Sequence, residues 1–178
     1  MIFGLFRKKN SNRLIVDRQY AVLTSAARVP FFYAAMDVPD TVMGRFEMLC
    51  AVMILFFRRT AGSDTSGRQL AQEIVDAFFQ DIDHSIRELG VGDQGVPKRM
   101  KKLAGMFYGR LETYGAAIDA GNAAALAGAL KRNIYPQQDA APGMLPLAEW
   151  MMGAEQALKQ VPDEAIARGD VALPAPGK

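Results

Sequence analysis

The sequence has few residues of the types that most active sites require. Its 178 residues include one cysteine and one histidine, too few for an internal disulfide or a histidine-based zinc site. The same counts argue against most Ser-His-Asp and Cys-His catalysis. The net charge of only +2 gives no argument for DNA binding. We therefore expect a cytoplasmic, non-enzymatic protein of a reducing compartment, without a metal or cofactor.

Long hydrophobic runs are also absent. The longest strictly apolar stretch, residues 48–57, has ten residues, about half of what a membrane-spanning helix needs. Residues 1–10 place the apolar MIFGLF before the basic RKK, which is the reverse of the order in a signal peptide. This N-terminal apolar and basic extension either contacts a membrane surface, with its basic side chains near anionic headgroups, or frays in solvent.

Apolar residues recur with the period of an α-helix, and no useful stretch alternates as a strand would. We expect one all-α domain over residues 11–168, a bundle of about six helices, followed by a disordered, proline-containing tail at 169–178. The predicted helices cover residues 11–28, 40–59, 66–89, 97–118 and 122–134, and a sixth runs through 149–159. Asp40 and Asn122 are the predicted N-caps of the second and fifth helices. Residues 31–33, an aromatic FFY, are predicted to form a connector.

Several charged residues lie at the edges of apolar helix faces. Asp81 lies beside Phe78 on the buried face of the third predicted helix, where an unpaired carboxylate would be costly. Arginines hold similar boundary positions on the second and fourth helices. The pattern predicts a buried or half-buried ion-pair network, structural in role, formed by Arg45, Glu47, Asp81, Arg99 and Arg110.

Two short motifs match known sites only by letter. Residues 90–95, GVGDQG, fit the dinucleotide pattern, but they follow a predicted helix and no βαβ unit surrounds them, so a helix end and turn explains them better. Asp81 and Asp83 diverge on a helix and make a poor metal pair. Cys50 lies in the apolar run and is expected to pack as a small hydrophobic residue.

Two features predict an interaction surface. The second helix is apolar on almost all sides, so it is either central or open to a partner. At least one of Met48 and Leu55 is expected to line a groove or patch beside Phe79, and if both are buried the aromatic residues 31–33 are the next candidate surface. Residues 97–102, PKRMKK, place four cations at a helix N-terminus, where the macrodipole disfavours them, which suggests an anionic partner. The predicted partner-binding residues are Met48, Leu55, Phe79, Lys98, Lys101, Lys102 and Tyr108.

Longer blocks carry a resemblance to a known family. They are GRFE at 44–47, LAQ at 70–72, FFQDID at 78–83, RELGVGD at 87–93, VPKRMKK at 96–102, FYGR at 107–110 and Tyr114. Together they resemble the ubiquinol–cytochrome c chaperone family, over about residues 18–135. The sequence departs from the expected pattern at Ile82, where we expect methionine, a change that nearly conserves volume.

The resemblance implies a non-enzymatic assembly factor of the respiratory ubiquinol–cytochrome c reductase. Members of the family bind newly made cytochrome b together with a small partner assembly factor. The resemblance begins close to residue 1 and no transit peptide is recognisable, so we expect a bacterial member on the cytoplasmic side of the inner membrane. An alternative from another class is a helical carrier of quinone or lipid, which needs an enclosed apolar pocket rather than an open surface.

Overall fold

The computed structural model describes residues 2–136, 138 and 140–177, with side chains from residue 12 onward. Within these residues there is no strand, and the prediction of an all-α fold is confirmed. The helices are α1 (Ile2–Ala27), α2 (Pro30–Ala35), α3 (Val42–Ala61), α4 (Thr65–Glu88), α5 (Val96–Asp119), α6 (Ala123–Ile134), α7 (Leu145–Lys159) and α8 (Asp163–Ala167). Residues 2–10 continue α1, but their side chains, and with them the predicted membrane contact, lie outside the described residues.

Polar caps and glycines set the ends of the longer helices. The Asn122 side chain caps α6, as the sequence predicts, by accepting a 2.9 Å hydrogen bond from a backbone N–H of the first turn. Helix α3 begins at residue 42 because Thr41 rather than Asp40 is its N-cap. Gly90 follows the end of α4 with φ of 79°, a conformation that glycine adopts without steric cost.

Helix α3 lies at the centre of the bundle. It packs against α1, α4, α5, α6 and α7, and residues 50–56 are all 0% exposed. Met48 and Leu55 are also 0% exposed, so the prediction that they line a surface patch is wrong. Neighbouring helices cover every side of α3 over residues 50–56, which is why this stretch is apolar all round.

The predicted aromatic connector is instead a short helix, α2. Pro30 occupies its first turn, where the fixed φ and the missing N–H of proline suit a helix start. Phe32 points into the core and meets the ring of Trp150 on α7 at a centroid distance of 4.6 Å. Phe31 stays 39% exposed.

The C-terminal tail is ordered over residues 169–177, which corrects the prediction of disorder. Val171 is 1% exposed and exchanges two hydrogen bonds of 2.7 and 2.9 Å with the buried Gln19 side chain of α1. Arg18 pairs with Asp170 at 2.9 Å. The Gln19 amide both donates to and accepts from the backbone of Val171, and this holds the proline-containing segment against α1. Composition alone did not reveal this contact.

Candidate interaction surface

Two members of the predicted network form an ion pair in the interior that joins α3 to α5. Glu47 and Arg110 have side chains 4% and 6% exposed. The Arg110 Nε donates to Glu47 Oε2 at 2.6 Å, and its Nη2 donates to Oε1. Burial raises the pKa of the Glu47 carboxyl above its usual range, and the guanidinium opposes that rise. This bidentate pair sets the docking of the two helices.

The other three members of the predicted network do not join it. Arg45 pairs with Asp40 at 2.7 Å on the surface. Asp81 faces α1 rather than α3 or α5, and it accepts a 2.8 Å hydrogen bond from the Tyr20 hydroxyl. The prediction that Asp81 pairs with an arginine is therefore wrong. Arg99 is exposed and forms no ion pair within the described part of the chain.

Sequence reasoning missed a second interhelical group, at the last turn of α3. Arg58 pairs with Asp119 of α5 at 2.5 Å and with the buried Glu155 of α7 at 3.0 Å. A Cβ on Gly115 would lie 3.1 Å from the Arg58 Nη1, so the small residue makes room for the guanidinium. The partners are 61 and 97 positions away from Arg58, and only the basic end of α3 signalled them.

A packed cluster of aromatic rings reaches the surface between α4 and α5. Phe107 is 1% exposed, and its ring lies 5.1 Å from that of Phe78 and 6.1 Å from that of Phe79, between centroids. The half-buried Phe79 ring lies 6.2 Å from the ring of Tyr108, which is 53% exposed. Phe79 and Tyr108 are thus the exposed end of a cluster anchored in the core.

Tyr108 shares an exposed side of α5 with lysines. Lys98, Lys101 and Lys102 are all exposed in the first two turns of the helix. Lys101 and Tyr108 are seven positions apart, and this spacing places them on the same side. Five of the seven predicted partner-binding residues thus lie at the surface of α4 and α5, whereas Met48 and Leu55 are buried.

Two glycines complete this side of α5. A Cβ built on Gly105 or Gly109 would meet nothing within 4 Å, so neither glycine is required by the packing of the bundle. Interior glycine costs a helix about 1 kcal/mol relative to alanine, which leaves a bare strip of backbone beside Tyr108 at a cost to stability. We call this surface the α5 face, formed by Lys98, Lys101, Lys102, Gly105, Tyr108, Gly109 and Phe79.

Two clefts lie elsewhere on the molecule, and both are open to solvent. One of about 570 Å³ lies between α2, α7 and the tail, and one of about 210 Å³ lies between α1, α4 and α8. Neither is the enclosed apolar cavity that a quinone or lipid carrier needs. No helix in the described part of the chain is both long enough and apolar enough to cross a membrane.

Comparisons with protein-family models and with solved structures both found matches to this chain. Residues 34–173 match the model of a family described as ubiquinol-cytochrome C chaperone. A crystal structure described as the Cbp3 homolog from Brucella abortus is 51% identical to this chain, with a TM-score of 0.88, and the match covers 97% of this chain and 96% of that one. A search of the curated proteins found no match. The region matched by the family model contains the whole α5 face and the Glu47–Arg110 pair.

Proposed function

Because this chain belongs to the ubiquinol–cytochrome c chaperone family, we propose that it binds newly made cytochrome b and supports assembly of ubiquinol–cytochrome c reductase without catalysing a reaction. The proposal includes a small partner assembly factor and a bacterial setting at the cytoplasmic side of the inner membrane. The observation that carries the client site is the α5 face, where anchored aromatic rings lie beside exposed lysines.

The chemistry of the α5 face suits a helix of a membrane protein as client. Tyr108 offers a large, rigid contact surface, and tyrosine is enriched among residues that dominate binding energy. Gly105 and Gly109 are four positions apart on a helix, and small residues at this spacing let a second helix approach the backbone closely. The lysines at one end add attraction to acidic loops or anionic headgroups.

Site-specific photocrosslinking tests where the client binds. A crosslinking amino acid at Tyr108 or Phe79 should capture cytochrome b in cells that are synthesising it, because these rings form the accessible end of the aromatic cluster. Leu14 and Leu145, 70% and 44% exposed on α1 and α7, are matched control positions. Equal capture at the controls would contradict the α5 face, and no capture of cytochrome b at any position would contradict the proposed function.

Glycine substitution tests whether a helix approaches the backbone. Gly105→Gln and Gly109→Gln should keep the fold, since an added Cβ meets nothing within 4 Å, and should raise helix stability because glutamine is the better helix former. Client recovery by co-purification should fall about tenfold, equivalent to roughly 1.4 kcal/mol of binding free energy. Gly128→Gln on α6, where an added Cβ makes only an ordinary 3.5 Å contact with the Arg132 Nη1, is the control; an equal loss there would contradict the site.

The lysines are tested separately from the rings. Replacing Lys98, Lys101 and Lys102 together by glutamine should weaken binding to the client or to anionic vesicles, most strongly at low salt. Charge screening predicts that the difference from the unmodified protein shrinks as salt increases. Unchanged binding at low salt would remove the electrostatic part of the proposal and leave the aromatic part standing.

A further inference from the structure

The end of the C-terminal tail is seated on aromatic side chains of α2 and α7. The Trp150 indole Nε1 donates a 3.1 Å hydrogen bond to the Pro174 carbonyl oxygen. Pro176 is buried. Gly177 lies so close to Phe31 that a Cβ there would be 2.7 Å from the ring. A proline-containing segment is thus held by an indole N–H donor and an aromatic ring.

The two halves of the tail are held with different strength. Residues 169–171 are fixed by the buried Gln19 amide and by the Arg18–Asp170 pair. Residues 174–177 are held by one solvent-exposed hydrogen bond, donated by the half-buried Trp150, and by apolar contact that buries Pro176. Segments with few buried contacts open with a small free energy. We therefore expect the outer half to open more readily than the inner half.

The cleft under the tail has room that the tail does not use. With the tail seated, about 570 Å³ stays open, lined by Phe31, Met36, Trp150, Ala154 and the single carboxylate of Glu149 among others. Volumes of this size and apolar character are typical of ligand sites. We call this region the Trp150 cleft. It lies on α2 and α7, away from the residues of the α5 face.

We propose that the Trp150 cleft binds a proline-containing extended segment of a partner protein, and that the chain's own tail occupies part of it until that partner binds. Such segments bind with little loss of conformational entropy, and aromatic-lined grooves recognise them through their rings and exposed carbonyls. The chain's own tail shows how such a segment would bind, since it accepts the hydrogen bond from Trp150 and contacts the Phe31 ring. The proposal goes beyond client binding and does not depend on it.

The chain's own tail competes with any partner for the Trp150 cleft because its covalent attachment gives it a high local concentration. A segment tethered by a short linker behaves as though it were present at millimolar concentration. At an effective concentration of about 1 mM, a tail whose intrinsic Kd for the cleft is about 0.1 mM or tighter leaves the cleft free about a tenth of the time or less, so a free peptide should bind the unmodified protein at least about tenfold more weakly than a protein whose tail is unseated.

The test uses the full-length protein and its single tryptophan, Trp150, as a local fluorescence reporter. Two variants displace the tail independently. The first combines Pro174→Ala with Pro176→Ala, and the second is Gly177→Ala, which puts a Cβ 2.7 Å from the Phe31 ring. Both should shift Trp150 emission to the red. A labelled peptide VALPAPGK, the sequence of residues 171–178, should bind both variants at least tenfold more tightly than the unmodified protein.

The control peptide VALAAAGK lacks both prolines and should bind none of the three proteins. The proposal is overturned by equal peptide affinity for the unmodified protein and the variants, by equal binding of the two peptides, or by no binding to either variant at millimolar peptide. All three substituted positions lie in the last five residues, outside the helices, and circular dichroism should show that each variant retains its helices.

Discussion

Arg45 and Glu47 are two positions apart in α3, and their ion pairs lie in opposite surroundings. The Arg45 side chain is 62% exposed and pairs with Asp40, five residues back. The Glu47 side chain is 4% exposed and pairs with Arg110, 63 residues away on α5. Two positions along a helix turn a side chain by about 200°, so one side chain faces solvent and the other faces the core.

The comparison separates a local contact from one that joins distant helices. The Asp40–Arg45 pair is screened by water and spans a single helix start, so it is worth little. The Glu47–Arg110 pair is shielded from water, and each partner would be left as a buried charge without the other. Helix docking therefore depends on the second pair.

The largest effect is expected from breaking the buried pair on one side. Arg110→Met leaves the Glu47 carboxylate without its partner and should lower the free energy of unfolding by about 3–5 kcal/mol, measured by urea denaturation. Adding Glu47→Met should restore most of the loss, because two apolar side chains of similar size replace the pair. A double variant as unstable as the single one would show that packing, rather than charge, causes the loss.

The pH dependence of the Arg110→Met variant sharpens the comparison further. Burial raises the pKa of Glu47 in the folded state, and removing the opposing guanidinium raises it further. The folded carboxyl then binds its proton more tightly than the unfolded one, whose pKa is near 4.5. The free energy of unfolding of the variant should therefore fall as the pH rises above the pKa of the unfolded state, by about 1–2 kcal/mol between pH 5 and 7.5. Glu47→Gln in the same background should abolish the slope.

A smaller effect is expected at Tyr20, whose hydroxyl holds the half-buried Asp81. Tyr20→Phe removes one hydrogen bond between α1 and α4 and should lower the free energy of unfolding by about 1 kcal/mol. Thermal denaturation measures the change. Asp81→Asn keeps an acceptor for the hydroxyl and is the control, so a greater loss in that variant would mean that the charge of Asp81 matters more than the bond.

The smallest effect is expected from the exposed pair. Arg45→Gln should leave the urea midpoint almost unchanged at moderate salt, since both partners are more than half exposed. Asp40→Asn is the reciprocal control and should behave alike. A loss approaching that of Arg110→Met would break the distinction between the two pairs.

The sequence predicts the ends of helices, which depend on neighbouring residues, better than it predicts which side chains pair between helices. The ends of α4 and α6 follow from Gly90 and Asn122, whose roles depend on the residues next to them. Helical wheels place Asp81 and Arg110 at the edges of apolar helix faces but cannot choose their partners, because a wheel does not specify how helices dock. For the same reason Met48 and Leu55 were assigned to a surface, although five helices enclose α3.

The tail and the last turn of α3 show the same limit. Gln19 of α1 holds Val171, and Arg58 holds Glu155 of α7, over separations of 152 and 97 residues. Neither contact leaves a periodic signal in the sequence. Composition alone therefore suggested disorder for a segment that one buried amide keeps in place.

Because Cys50 is buried, its reactivity can be used to measure how often the core of the protein opens. This residue is the sole thiol, it is 0% exposed in α3, and burial raises its pKa well above the ordinary value. A thiol in this state does not react with alkylating reagents until the core around it opens. The rate of alkylation thus reports how often α3 loses its cover, and a labelling group can be attached at any engineered surface cysteine without reaction at the native one.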